Sequence, residues 1–272
     1  MAKFTSQTNF KFKRGCVLLE LNKIYNEDCL EGMKRIPDKS VDMILCDLPY
    51  GTTACKWDTI IPFEPLWEQY ERIIKDNGAI VLTASQPFTS ALVMSNPKLF
   101  KYEWVWDKVR ATNFMSAKKE PLRKHESILV FGTPKTTYNW QPLELSESGK
   151  RRNNRARLSK HEKTDTVYGD TTKLGMPTYE GKEFGYPKSI LTIPREQNNQ
   201  YSKPVVHPTQ KPVALFEYLI RTYTNENETV LDNCMGSGTT AIACINTNRN
   251  FIGFELDETY FNLANERIAN HK

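Results

Sequence analysis

Thr229-Val230-Leu231-Asp232-Asn233-Cys234-Met235-Gly236-Ser237-Gly238-Thr239-Thr240 decides the fold of this chain. An apolar run ends in an acid, two glycines follow within six residues, and Thr239 opens a stretch to Asn246 that reads as a helix. Strand, glycine turn and helix in that order is how an open α/β sheet presents its ligand edge. Gly236 and Gly238 permit a tight turn and let a ligand approach the backbone closely. The next apolar run, Asn250-Phe251-Ile252-Gly253-Phe254, ends at Glu255, an acid suited to accept hydrogen bonds from ribose hydroxyls. Thr239-Thr240 stand where a phosphate-binding loop has G-K-[ST], and Ala241 replaces the third glycine of a dinucleotide loop. A nucleoside cofactor without a phosphate to cradle remains.

The alternation extends outward on both sides. Pro212 to Tyr223 and Asp257 to Ala269 read as helices, and Pro212 suits a first helical turn, where its missing N–H costs nothing. Toward the amino terminus, Val41–Cys46, Ala79–Thr83 and Glu126–Phe131 are short apolar runs typical of buried strands. Phe63, Leu66, Trp67, Tyr70, Ile73 and Ile74 lie close to a helical period over Phe63 to Lys75. From Thr133 to Val206 the apolar runs stop, and Gly, Pro, Thr, Asn, Lys and Arg dominate. The expected organisation is therefore 16–132 and 207–272 as two halves of one α/β domain, with 133–206 a loop-rich insert. One mostly parallel sheet with helices on both faces is assembled from the two halves. No internal repeat is present.

Asp47-Leu48-Pro49-Tyr50 follows the first of these strands, and Pro49 and Gly51 turn the chain there, at the ligand edge again. The amino nitrogen of adenine or cytosine is a poor nucleophile until acceptors orient its hydrogens and support developing positive charge. Asp47 and the Leu48 carbonyl supply two acceptors, Pro49 brings no competing N–H, and Tyr50 offers a ring on which a base can stack.

The 272 residues, 39% hydrophobic and 25% charged, suffice for one core that buries a cofactor. No apolar run reaches the ~20 residues that span a bilayer, and Met1-Ala2-Lys3-Phe4 opens no secretory signal, so a cytoplasmic protein without membrane contact is expected. Cys16, Cys29, Cys46, Cys55, Cys234 and Cys244 form no C-x-x-C pair, and His125, His161, His207 and His271 are scattered, so no metal is assigned. Most of the cysteines read as small buried apolar residues. A net charge of +5 is compatible with a polyanionic partner.

The loop at 47–50, the pattern D-x-x-x-G-S-G-T-T at 232–240, and His207-Pro208-Thr209-Gln210-Lys211-Pro212 together resemble the amino-methylating DNA methyltransferases. The order resembles their beta class, with the catalytic motif first, the target-recognition region next and the cofactor motifs last. The resemblance covers most of the chain outside about residues 133–200 and the first fifteen. It implies a seven-stranded sheet with permuted motif order, S-adenosylmethionine as methyl donor, and double-stranded DNA whose target base is flipped out. It further implies that Asp28 and Cys29, within Asn26-Glu27-Asp28-Cys29-Leu30, face the cofactor adenine and that Glu255 holds the ribose. Asp232, Gly236, Ser237 and Gly238 would surround the methionine part, with Met235, Thr239 and Thr240 completing the loop and Lys211 nearby. Two departures stand out: Leu48 where proline is commoner, and Asn233-Cys234 where the glycine motif usually has proline and an aromatic. Aspartate at 47 resembles adenine-N6 enzymes more than cytosine-N4 enzymes, where serine is common.

Within that resemblance Lys108, Arg110, Asn113, Lys118, Lys119, Arg123 and Lys124, interleaved with Trp104, Trp106 and Phe114, are expected to flank the base pocket and the DNA. Arg151, Arg152, Arg155 and Arg157 form a second cationic stretch, suited to phosphate contacts that position rather than specify. Cytosine-N4, an RNA base, a protein glutamine and a non-catalytic DNA-binding subunit are the alternatives. A homodimer and a cognate restriction endonuclease are left open.

Overall fold

The computed structural model describes residues 19–52, 55, 58–144, 147–148, 184–195 and 210–271. The chain divides into two units, Met1–Asn139 with Ser189–Lys272, and Trp140–Lys188. The larger unit begins with β1 (Lys23–Tyr25), α1 (Cys29–Met33), β2 (Val41–Cys46), α2 (Phe63–Ile73), β3 (Ile74–Ala84) and α3 (Phe88–Ser95). It continues with β4 (Phe100–Thr112), a 3-10 turn at Phe114–Ser116, and β5 (Arg123–Phe131). The smaller unit pairs β6 (Leu143–Glu144) with β7 (Phe184–Gly185). The larger one then resumes with β8 (Ile190–Thr192), α4 (Val213–Tyr223), β9 (Thr229–Asp232), α5 (Thr239–Asn246), β10 (Asn250–Phe254) and α6 (Glu258–Ala269).

One sheet runs β1-β10-β9-β2-β3-β5-β4-β8. Five of its neighbour pairs are parallel, and β5 is antiparallel to both β3 and β4. The sheet has eight strands rather than the expected seven. The additional strand is β8, beside β4 with Val105 opposite Ile190 and Asp107 opposite Thr192. Of its three residues only Leu191 is buried, too short a pattern to register as a strand in sequence. The stretch 133–206 is accordingly not of one kind, since β8 belongs to the larger unit.

The strands read as apolar runs because both faces of the sheet are covered. Met43 and Leu45 of β2 pack with Leu215, Phe216 and Leu219 of α4 and with Ala241 of α5. Ile44 and Cys46, pointing the other way, pack with Met33, Leu66, Trp67, Tyr70 and Ile73 from α1 and α2. Helix α2 stops at Ile73, short of Lys75, because Ile74 turns extended and pairs with Val41. Asp42, buried within β2, is held by Lys75 Nζ at 2.6 Å and accepts from the Thr229 amide at 3.0 Å, tying β2 to β9. Among the described residues no helix is long and apolar enough to cross a membrane.

Candidate active site

Strands β2 and β9 are parallel neighbours, with Met43 opposite Val230 and Ile44 opposite Leu231. The two loops singled out in the sequence therefore leave the sheet side by side at its carboxyl edge. A cavity of about 790 Å³ opens there, lined by residues 47–50, by most of the glycine loop, and by Cys29, Glu126, Lys211 and Glu255.

Gly236 and Gly238 have φ of +54° and +81°, left-handed values that strain any other residue. Gly238 leads straight into α5, and a Cβ on it would lie 3.2 Å from that of Ala264. Arg267 of α6 steadies the turn, donating from Nη1 to the Ser237 carbonyl and to Thr239 Oγ1, both at 3.1 Å. Glu255 accepts from the Gly236 amide at 2.7 Å and the Asp257 amide at 2.9 Å. Its four lone-pair sites exceed these donors, leaving capacity for ligand hydroxyls. Burial pushes its carboxyl above the ordinary range, while the backbone donors oppose that. Burial pushes Asp232 up to about 6, although the Thr240 hydroxyl and the Cys234 amide donate to it.

Asn233 settles the departure in this motif. Its side chain is buried, its Oδ1 accepts from Tyr70 OH at 2.5 Å, and its Nδ2 faces Cys29 Sγ at 3.6 Å and Cys234 Sγ at 3.5 Å. The amide thus fastens the glycine loop to α2 and α1 by hydrogen bonds, where a proline and an aromatic would do so by packing. Asp28 lines the cavity and also caps α1, its Oδ1 accepting from the Leu30 amide at 2.8 Å and the Glu31 amide at 3.3 Å. Cys29 is buried, and its neighbour Cys234 together with that burial pushes its thiol up, so it stays neutral. Met235, 3% exposed, lies under Gly253, whose absent Cβ makes room for it.

In the catalytic loop, Asp47 Oδ1 accepts from Tyr50 OH at 2.8 Å and from the Thr83 hydroxyl. Asp47 Oδ2 takes Lys211 Nζ at 2.5 Å. Lys211 also lies 3.5 Å from Glu126 Oε2, and Lys108 Nζ lies 3.1 Å from Glu126 Oε1, so charges alternate along Lys108, Glu126, Lys211 and Asp47. Burial alone would lower Lys211, but Asp47 and Glu126 outweigh it and hold the ammonium above its ordinary range. After Tyr50, the amides of Gly51 and Thr52 donate to Asp58 at 2.8 and 2.9 Å, which fixes the turn. The Tyr50 ring stacks on Phe88 with centroids 5.2 Å apart, and Lys211 Nζ lies 5.7 Å from its centre.

The expected DNA contacts divide. Lys108 is 4% exposed and paired with Glu126 inside the cavity, so it is no surface cation. Trp104 and Trp106 are core residues of β4, their indole N–H groups donating to Tyr223 OH at 2.7 Å and the Ile193 carbonyl at 2.8 Å. Asn113 braces the β4–β5 hairpin. Arg110, Lys118, Lys119, Arg123 and Lys124 are exposed on that hairpin. Arg151, Arg152, Arg155 and Arg157 lie outside the described residues. Thr83, Asp58, Glu126 and Asn233 are the site residues the sequence reading did not select. Glu126 had a signal, being the acid that heads the run Glu126–Phe131 in the sequence. Thr83 had none.

Fold and site together define an S-adenosylmethionine-dependent methyltransferase. The chain belongs to the DNA methylase family of N6 and N4 amino-methyltransferases, whose model matches residues 41–266. Type II methyltransferase M1.MboII of Moraxella bovis is 30% identical over 91% of this chain and 96% of its own length. DNA adenine methyltransferase YhdJ of Escherichia coli K12 is 26% identical over 93% of this chain and 85% of its own. The crystal structure of the M1.HpyAVI–SAM complex, 24% identical, superposes with a TM-score of 0.57 over 90% of this chain and 98% of that one, a likeness of fold. The chain is a DNA methyltransferase.

Proposed function

We propose that the chain methylates the exocyclic N6 of adenine in double-stranded DNA, with the base flipped into the cavity beside Asp47. The observation that carries this reading is the Asp47 carboxylate, fixed by Lys211, Tyr50 and Thr83 next to the glycine loop on the adjoining strand. Oδ2 has lone-pair capacity beyond Lys211 for one amino hydrogen. Leu48 buries its side chain in the core, which leaves its backbone carbonyl as acceptor for the other. Two such acceptors set the nitrogen lone pair toward the methyl donor, and a fixed geometry supplies proximity.

S-adenosylmethionine, when bound, supplies a methyl group on a sulfonium that leaves as a neutral thioether. The residues fit that group. Glu255 retains acceptor sites for ribose hydroxyls, Asp28 and Cys29 line the same cavity, and Asp232 with the 236–238 turn is suited to the methionine end. Lys211 keeps Asp47 aimed rather than donating a proton. Aspartate at 47 and the adenine specificity of YhdJ favour adenine over N4 of cytosine, although the family acts on both. The Type II relatives fit a cytoplasmic protein that works beside a cognate restriction endonuclease.

Expressing the chain in a methylation-free host and sequencing the DNA for modified bases tests the reading. N6-methyladenine at one short sequence is expected. N4-methylcytosine would move the assignment to cytosine, and unmodified DNA would refute it. Asp47→Ala should lower kcat by about 10²–10³-fold, as loss of one preorganised polar group does elsewhere. Cofactor affinity, measured by calorimetry, should stay close to wild type.

A further inference from the structure

Strands β4 and β5 extend beyond the sheet as a hairpin, and its tip is apolar. Met115 is 101% exposed and Phe114 69%, adjacent in the 3-10 turn Phe114–Ser116. Single exposed apolar residues are ordinary on protein surfaces, but two neighbours at the end of a projecting hairpin are a feature. The tip is also braced. Asn113 takes a left-handed φ of +59°, donates from Nδ2 to Glu120 Oε1 at 3.0 Å, and accepts the Arg123 amide on Oδ1 at 2.7 Å. The Ser116 amide closes the turn on the Asn113 carbonyl at 2.9 Å. Phe114 and Met115 are therefore held outward by a fixed turn. Lys108 and, at the outer end of β4, Thr112 line the cavity, so the tip starts two residues from the pocket rim. Behind the tip stand Lys118, Lys119, Arg123 and Lys124, all exposed, with Arg123 3.6 Å from Glu120 and Lys124 3.2 Å from Asp107.

We propose that Phe114 and Met115 are a wedge that enters the DNA base stack and fills the space vacated by the flipped base, while the hairpin lysines and arginines hold the flanking phosphates. The proposal rests on the flipped-base reading above. Apolar side chains inserted between base steps unstack them, and extruding a paired base costs a few kcal/mol, least when the base is already unpaired. A wedge at the rim of the receiving pocket offsets that cost where it arises. The charge pattern favours DNA over a second copy of this chain, because a self-complementary contact would bring the cations of two hairpins together.

The double variant Phe114→Ala/Met115→Ala tests this, since both side chains are exposed and their loss leaves the core intact. Two duplexes carry the modified site found by sequencing, one fully paired and one with the target base mispaired. The variant should lose about 10- to 100-fold in kcat/KM on the paired duplex, from the size of the unpairing cost. On the mispaired duplex it should fall within about twofold of wild type, and its affinity for S-adenosylmethionine should be unchanged. Equal loss on both duplexes, or no loss on the paired one, overturns the wedge. So does a shift from dimer to monomer in light scattering accompanied by loss on both. Sequencing that finds no modified base in DNA exposed to the wild-type protein refutes the parent reading instead, and the wedge falls with it.

Discussion

Asp232 is 3% exposed, and burial holds its carboxyl near 6 against a reference of 3.8, despite donors from Thr240 and Cys234. A carboxyl raised in the folded state binds its proton more tightly there than in the unfolded chain, so it lowers stability as pH rises through that interval. Below about pH 4 both states are protonated and nothing is lost; above about 6 the full cost stands. Asp232→Asn keeps an oxygen for the Cys234 amide and removes the charge. Relative to wild type its stability should therefore improve between pH 4 and pH 6, by on the order of 1–3 kcal/mol, and hold that gain at pH 7. Urea unfolding at pH 4, 5, 6 and 7 measures the difference, and a difference flat across that range would show that Asp232 is no liability. The same variant should bind the cofactor more weakly, as expected where a strained group is kept for function. Single residues of this kind were legible when a motif carried them, as with Asp47, Lys211 and Glu255. Thr83 was not, because a threonine ending an apolar strand looks like any other, and its contact with Asp47 exists only once β3 lies beside β2.

Helix α2 shows what an element adds to the site from outside the motifs. Its face of Leu66, Trp67, Tyr70 and Ile73 was plain from the helical period, and all four pack into the core. The period says nothing of the Tyr70 hydroxyl, which reaches across to Asn233 Oδ1 in the glycine loop. Removing that hydroxyl leaves a buried amide oxygen without its donor, a loss of ~1–3 kcal/mol. Tyr70→Phe should cost that much in urea unfolding and should also weaken cofactor binding in calorimetry, since Asn233 holds the loop against α1 and α2. A variant that lost stability with unchanged cofactor affinity would make the bond a core contact only. Boundaries were harder to read than faces. The β4 strand, with its two tryptophans, resembled a nucleic-acid surface in sequence because aromatics and cations alternate there, and only the sheet shows that the aromatics point inward and Lys108 pairs with Glu126.

At the scale of the whole molecule, the sequence placed the two loops on one sheet because alternation resumed after 207, and the pairing of β2 with β9 brings them together. The eighth strand and the limits of the smaller unit were hidden, since both depend on pairings of two or three residues that leave no periodic trace. The charge distribution carries a last consequence. A net +5 is compatible with a polyanionic partner, and two cation-rich stretches are the candidates for local phosphate contacts: the exposed cations of the β4–β5 hairpin and, in the sequence, the arginines at 151, 152, 155 and 157. Each phosphate neutralised releases counterions, and the slope of log Kobs against log salt changes by about 0.9 per contact on duplex DNA. Replacing Arg151, Arg152, Arg155 and Arg157 with glutamine should therefore flatten the slope by up to about 3–4 if each meets a phosphate. Fluorescence anisotropy on a labelled duplex across a salt series reads this directly. Methylation at saturating DNA should change little, because these arginines would hold the substrate without touching the reacting nitrogen. A slope equal to wild type would remove the four arginines from the DNA contact and leave the hairpin as the cationic surface that binds.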